Sequence, residues 1–376
     1  MRPARPPRAP AGALLMFAGV VAAATPDSLG LPASAVAADP PARIALGRRL
    51  FMDRRLSPNG TMSCGMCHVP EQTFVVTELQ TAVGIEGRSL RRNAPTLLNV
   101  GLQRTLFHDG RSPTLEAQAW GPLLAPDEMG NGTKTAAVRR IGRLRDYRPW
   151  FRRAFGDSRV DETRIAGALA AYERSLIAGG SAFDRWAYGG DRDALSPEAQ
   201  RGHALFVGDA GCAACHRIDP GHAEFTDHDF HDTGIVARRA AALVRGVDVP
   251  LAANVNTTLT LATIEAAFGR NAADGGREEV THRPEDRYRY KTPTLRNVAL
   301  TPPYMHDGSL PTLAAVIDFY DRGGSAAPGQ DPRIRPLGLT ASRKRDLEAF
   351  LRALDSPAVP RLAREARTAA TVPTFR

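Results

Sequence analysis

Residues 64–68 read Cys64-Gly-Met-Cys67-His68, and residues 212–216 read Cys212-Ala-Ala-Cys215-His216. These two stretches hold all 4 cysteines of the 376-residue chain. With cysteine at 4 and histidine at 9 of 376 residues, random placement gives roughly 0.001 occurrences of the pattern. Two are not chance. Cys-x-x-Cys-His is the c-type haem attachment pattern. Each thiol adds to one haem vinyl group, and the histidine that follows swings under the ring to bind iron. A shared zinc ion or a redox dithiol would explain the paired cysteines, but not a histidine directly after each pair. With every thiol so used, no disulfide is left to staple the fold.

The N-terminus reads as an address. Arg2, Arg5 and Arg8 form a basic region, and an uncharged Ala- and Val-rich stretch follows from Ala11 to Ala24. That stretch is short for a membrane span, which needs about 20 apolar residues. Residues 1–24 are expected to be a signal peptide cleaved near Ala24, with Ala37-Ala38 as a second small-residue cluster. The mature protein is expected to be periplasmic, with no membrane span after cleavage. Losing three arginines lowers the formal charge from +9 to +6. The remaining basic residues read as dispersed arginines rather than a tract, so nucleic acid is not an expected partner.

Outside the motifs the chain repeats itself. Pro95-Thr96-Leu97-Leu98-Asn99-Val100 recurs as Pro293-Thr294-Leu295-Arg296-Asn297-Val298, His108-Asp109-Gly110 as His306-Asp307-Gly308, and Pro113-Thr114-Leu115 as Pro311-Thr312-Leu313. One offset of 198 residues aligns all three, whereas the cysteine motifs are offset by 148, so the second half carries about 50 extra residues in between. The expected fold is mainly α: two duplicated cytochrome c-type domains with long loops, the haems near the domain interface. The first is placed at 40–185, the second at 190–356, and a tail at 357–376, polar and disordered after Pro360. Ile165, Leu169, Tyr172 and Leu176 share one face of a helix starting near Asp161, and Leu347, Phe350, Leu351 and Leu354 share another. Ser196-Pro197-Glu198 has the form of a helix start. Ala136 to Phe155 reads as one basic surface helix. Residues 237–287 read as an insertion, flexible around Ala272-Ala273-Asp274-Gly275-Gly276.

Function depends on the group opposite each histidine. A six-coordinate haem passes electrons; an open one binds peroxide. Beyond the signal the methionines are Met52, Met62, Met66, Met129 and Met305. Seven histidines lie outside the motifs, at 108, 203, 222, 228, 231, 282 and 306. Composition does not choose among them.

The duplicated motifs, Arg92-Asn93-Ala94-Pro95-Thr96, Asp109-Gly110-Arg111, the 123–130 stretch with Glu128, and Lys291 to Val298 leading into Tyr304-Met305-His306-Asp307-Gly308 resemble the bacterial di-haem cytochrome c peroxidase superfamily. The resemblance spans roughly residues 43–355. It implies that His68 is the proximal ligand of a peroxide-reactive haem, and that Glu128 manages protons as peroxide is cleaved. It implies that His216 is the proximal ligand of an electron-relay haem. Most such peroxidases place a methionine fourteen residues beyond the residue matching His306; here that place holds Tyr320. This resembles the MauG/MbnH-like branch, in which tyrosine binds the second iron. A phenolate is hard and anionic and favours higher oxidation states of iron. The family's inter-haem tryptophan position falls on His108. Electron exchange could run through His108, Phe107 or Trp120, or His108 could be the structural counterpart of His306; both readings stand. The resemblance also implies one calcium ion, held by the Asn93 side chain and the carbonyls of Thr301 and Pro303.

The expected function is a periplasmic di-haem peroxidase with two covalent c-type haems. It would use hydrogen peroxide to oxidise a donor, a residue of a partner protein in this branch. Alternatives are a peroxidase that draws electrons from a small cytochrome c, and a non-enzymatic di-haem electron-transfer cytochrome.

Overall fold

The computed structural model describes residues 26–36, 39–237, 244–252, 255–260, 262, 263, 266 and 274–368. The segment expected to be a signal peptide, Ala37-Ala38, Ala272-Ala273 and the last eight residues lie outside them. Helices dominate, joined by long loops and short 3-10 turns. Among the described residues strands are confined to a hairpin, Val247–Ala252 against Val255–Leu259, and a two-residue pair, Phe230–His231 with Tyr290–Lys291. Among the described residues no helix is long and apolar enough to cross a membrane.

Two helix crossings organise the chain. The 162–174 helix starts where the Asp161 carboxylate accepts from Arg164 N at 2.9 Å. It buries Ile165, Leu169 and Tyr172 against the Pro41–Met52 helix. At their closest approach stands Gly47, where an added Cβ would lie 1.8 Å from Ala168 O. The Pro197–Val207 helix, capped by Ser196, crosses the Ala341–Arg352 helix in the same way. There a Cβ on Gly202 would lie 1.9 Å from Asp346 O. Only glycine permits this backbone contact at either place. The first crossing anchors an apolar cluster with Leu46, Phe51, Leu98, Leu123 and Phe151; the second anchors one with Phe183, Phe206, Phe225, Ile317 and Phe350.

The internal repeat keeps one backbone geometry in both copies. Asn99 and Asn297 have φ of 58° and 61°, Phe107 and Met305 67° and 72°, and Gly110 and Gly308 68° and 67°. Non-glycine residues rarely adopt this left-handed region, so its recurrence at matched positions marks a shared scaffold. The copies also exchange equivalent hydrogen bonds. Asn93 N donates to His306 O at 2.7 Å, and Lys291 N, its counterpart 198 residues on, donates to His108 O at 2.8 Å.

Two expectations are corrected. Residues 136–155 are not one helix: Lys134–Arg143 and Arg148–Phe155 are separated by a turn that buries Tyr147. Pro149 lacks the N–H a continuous helix would need and instead suits a first turn. Nor is the tail disordered from Pro360 to Thr368, the last described residue. Val359–Thr368 is a helix that buries Val359, Leu362, Ala363 and Ala366, joining the first cluster, and Arg367 pairs with Glu71 at 2.7 Å.

Candidate haem and peroxide site

Each motif histidine is held the same way. Cys64–Cys67 form one helical turn, and His68 follows with its Nδ1 3.1 Å from Phe74 O. The ring lies against Phe51, centroids 6.4 Å apart at 44°. His216 sets its Nδ1 2.8 Å from Phe225 O and lies against Phe206 at 6.5 Å and 46°. Burial lowers the pKa of both histidines, favouring the neutral imidazole. A carbonyl on Nδ1 fixes the tautomer that frees Nε2 for a metal. The loop under His216 is tied down by Thr294 Oγ1, which donates to Glu224 O at 2.8 Å, and by Arg296 Nε, which donates to Ala223 O at 2.7 Å. Its counterpart, Thr96 Oγ1, donates to Thr73 O at 2.8 Å beside Phe74.

All four cysteines are unpaired thiols, and burial pushes each pKa up. Neutral, half-buried thiols beside an oriented neutral imidazole fit covalent c-type haem. Cys64 and Cys67 with His68 would hold one such group, and Cys212 and Cys215 with His216 the other.

Glu128 lies in the loop after the Trp120–Leu124 helix. Its carbonyl accepts from Ile85 N at 2.8 Å, and a Cβ on the neighbouring Gly84 would lie 1.9 Å from Asp127 O. Burial, reinforced by Asp127 and opposed by Arg111, pushes the Glu128 carboxyl up to about 7. Its charge in turn raises the pKa of both Cys64 and Cys67, so it lies within electrostatic range of the first motif. Tyr320, on the Leu313–Asp321 helix, bears the same relation to the second motif. Burial first, then Cys212 and Cys215, push its phenol well above the usual range. The structure thus sets Glu128 within electrostatic range of the first cysteine pair and Tyr320 within range of the second.

His108 is placed at the contact between the repeat copies. Its Nε2 lies 2.9 Å from Asn93 O, and burial lowers its pKa to about 4, with His306 adding to the effect. Phe107 packs on Gly121 and under the Arg111 guanidinium, 3.4 Å above the ring. Trp120 is buried in the first cluster. Asn93 Nδ2 donates to Pro303 O at 2.7 Å, which brings together two of the three groups expected around calcium; Thr301 is two residues away in the chain. As placed, this amide donates to the carbonyl; holding a cation would require its Oδ1 to turn inward.

Two residues escaped sequence reasoning. Arg111 was noted only within its turn, yet it holds Asp109 through 2.9 and 3.0 Å contacts and opposes the rise at Glu128. Glu173 is buried with one carboxylate oxygen unpartnered; burial pushes it up to about 8, and it raises the pKa of Cys64. Its place in an otherwise apolar helix face was the one signal available.

A mainly helical chain with two Cys-x-x-Cys-His turns, each histidine oriented through Nδ1, is built as a di-haem c-type protein. The sequence profile of the family described as "Di-haem cytochrome c peroxidase" matches residues 41–193. The methylamine utilization protein MauG of Methylorubrum extorquens is 38% identical over 84% of this chain and 78% of its own. The cytochrome-c peroxidase IdrP1 of Denitromonas iodatirespirans is 36% identical over 86% and 85%. Among solved structures, a MauG-like protein associated with microbial copper homeostasis superposes with a TM-score of 0.70. It is 32% identical, over 85% of this chain and 91% of that one. The chain belongs to the di-haem cytochrome c peroxidase family, and it is a di-haem peroxidase.

Proposed function

We propose that this protein is a periplasmic, MauG-like peroxidase that uses hydrogen peroxide to oxidise a residue of a partner protein. The observation that carries this reading is Tyr320. It lies within electrostatic range of the second cysteine pair, and no methionine lies anywhere after Met305. Two covalent haems supply the redox chemistry with peroxide when bound, one in a domain at 40–185 and one at 190–356. His68 and His216 would each hold one haem iron, and Tyr320 would supply a second protein ligand to the iron held by His216. Burial opposes ionising that phenol, so its deprotonation depends on a cation at the oxygen. Glu128, poised near neutrality, takes a proton from one peroxide oxygen and returns it to the other. Asn93, with the carbonyls of Thr301 and Pro303, holds a calcium ion between the domains. His108 mediates electron exchange across the contact of the two copies.

The test is electron paramagnetic resonance and optical titration of the diferric protein. One high-spin and one low-spin signal are expected, with a spectral change on one equivalent of peroxide. Tyr320→Met should shift the low-spin signal and impair the peroxide product. No response of the wild type to peroxide, or an unaltered low-spin signal in the variant, would sink the proposal. The names of relatives such as IdrP1 favour a second reading, turnover with a small cytochrome c. Sustained oxidation of reduced cytochrome c would support it.

A further inference from the structure

The arginines that look dispersed along the sequence gather in the folded first half. Residues 134–164 carry ten basic and four acidic side chains, a surplus of six against nine for the whole chain. Their helices turn Ala137, Ile141, Tyr147 and Phe151 into the core and leave Arg139, Arg143, Arg145, Arg148 and Arg152 exposed. None of these five guanidinium groups has a hydrogen-bond or ion-pair partner among the described residues, whereas arginines such as Arg55, Arg92, Arg174 and Arg367 are held in ion pairs.

The arrangement works against the fold. Arg139 and Arg143 are like charges one helical turn apart, as are Arg148 and Arg152, and such pairs destabilise a helix. Arg148 begins its helix, at the end where the helix dipole disfavours a cation. Arg143 and Arg152 sit in last turns, where a cation is favourable, but that does not account for Arg139, Arg145 or Arg148. Beside Arg148 opens a cleft of about 490 Å³ whose walls also carry Arg159 and one carboxylate, Asp157. Trp150 lies half-buried on the Arg148–Phe155 helix, 5.1 Å from the Arg49 guanidinium. Tryptophan and arginine are the residues that most often carry the binding energy of protein interfaces.

We infer that this arginine-rich face, centred on Arg139, Arg148 and Arg152, is the docking surface for an acidic protein, the donor oxidised in the reading above, on which this inference rests. Guanidinium groups match carboxylates in bidentate geometry, and an unneutralised cationic face steers an acidic partner toward it. A membrane surface fits less well, because both helices spend their apolar faces on the core and keep none for lipid.

The test compares holoprotein with the triple variant Arg139→Glu/Arg148→Glu/Arg152→Glu. Two small cytochromes c serve as probes, one acidic and one basic. Titration with the oxidised acidic cytochrome, without peroxide, reads docking independently of turnover. The wild type should bind it in a salt-sensitive way, and the variant about tenfold or more weakly. The basic cytochrome should show no such loss. The optical response to one equivalent of peroxide should persist in both proteins; its absence from the wild type would count against the peroxidase reading, not against docking. Absence of salt-sensitive binding by the wild type, equal affinity in wild type and variant, or a loss seen only with phosphatidylglycerol vesicles overturns the inference.

Discussion

Arg296 and Asp184 offer the sharpest test of how the second motif is held. Both are buried, 2% and 0% exposed. Arg296 grips the carboxylate through 2.8 and 2.9 Å bonds, donates to Ala223 O at 2.7 Å and to Gly30 O at 2.5 Å, and lies 5.7 Å from the Phe225 ring. Asp184 also accepts from Ser181 N and Oγ at the start of the Ala182–Ala187 helix. The matched position in the first repeat is Leu98, so Arg296→Leu copies a residue the scaffold already accommodates in shape. It would nevertheless leave the Asp184 charge buried without its cation, held only by Ser181, at a cost of about 3–5 kcal/mol. At about 2–4 °C per kcal/mol, the holoprotein melt should fall by about 6–20 °C. Adding Asp184→Asn removes the orphaned charge and should recover about 2 kcal/mol of that loss. Urea unfolding followed by far-UV circular dichroism measures all three proteins. A single variant within about 1 kcal/mol of wild type, or a double variant no better than the single, would refute the argument.

Four further outcomes are expected. Glu128→Gln should slow the peroxide reaction by about 10²–10⁴ in stopped-flow absorbance, and an unchanged rate would remove Glu128 from proton transfer. The wild-type rate should climb with pH to about 7 and then level as the carboxylate form becomes dominant. The same group sets a stability trend. Its folded pKa is raised from 4.5, so the folded state binds the extra proton between 4.5 and about 7. Its contribution to stability is lost as pH rises through that window, by about 3 kcal/mol, and Glu128→Gln should shrink the loss seen in melts from pH 4 to 8 by that amount, leaving the share of Glu173, whose carboxyl is pushed up to about 8. Truncation after Ala358 removes the helix that buries Val359 and Leu362, and should cost about 3–5 kcal/mol; an unchanged melt would show that this helix contributes nothing.

What was legible in the sequence was chemistry that needs contiguous residues. A thioether-linked haem requires its two cysteines and histidine side by side, so the motifs could be read directly. The 162–174 and 341–352 helices showed themselves through apolar residues one turn apart. The helix crossings did not. Gly47-x-x-Leu50-Phe51 and Gly202-x-x-Leu205-Phe206 are counterparts, each placing its phenylalanine against a motif histidine. Their offset is 155, neither the 148 of the motifs nor the 198 of the longer repeat, and five-residue matches separated by insertions do not register as one duplication. The last helix hid behind its arginines, since Leu362, Ala363 and Ala366 make too narrow a stripe to announce burial. The roles of Arg111 and Glu173 exist only once distant segments meet.

The offset of 198 carries the functional argument further than the motifs do. Thr114 and Thr312 cap equivalent helices, accepting from Ala117 N at 3.2 Å and Ala315 N at 3.1 Å. In the second copy the helix runs unbroken from Leu313 to Asp321 and carries Tyr320 to within range of the second cysteine pair. In the first copy it is interrupted between Leu115–Gln118 and Trp120–Leu124, and the position matching Tyr320 is Pro122. Proline has no side chain that can bind iron. Six residues later the relation inverts: Glu128 lies within range of the first pair, and its counterpart is Ala326, which can neither take nor give a proton. On the proposed reading, two substitutions on one duplicated scaffold divide the work. One copy gains an oxygen ligand and holds charge; the other keeps a face free of ligands with a titratable carboxyl beside it. That division would make one haem reactive and the other a reservoir.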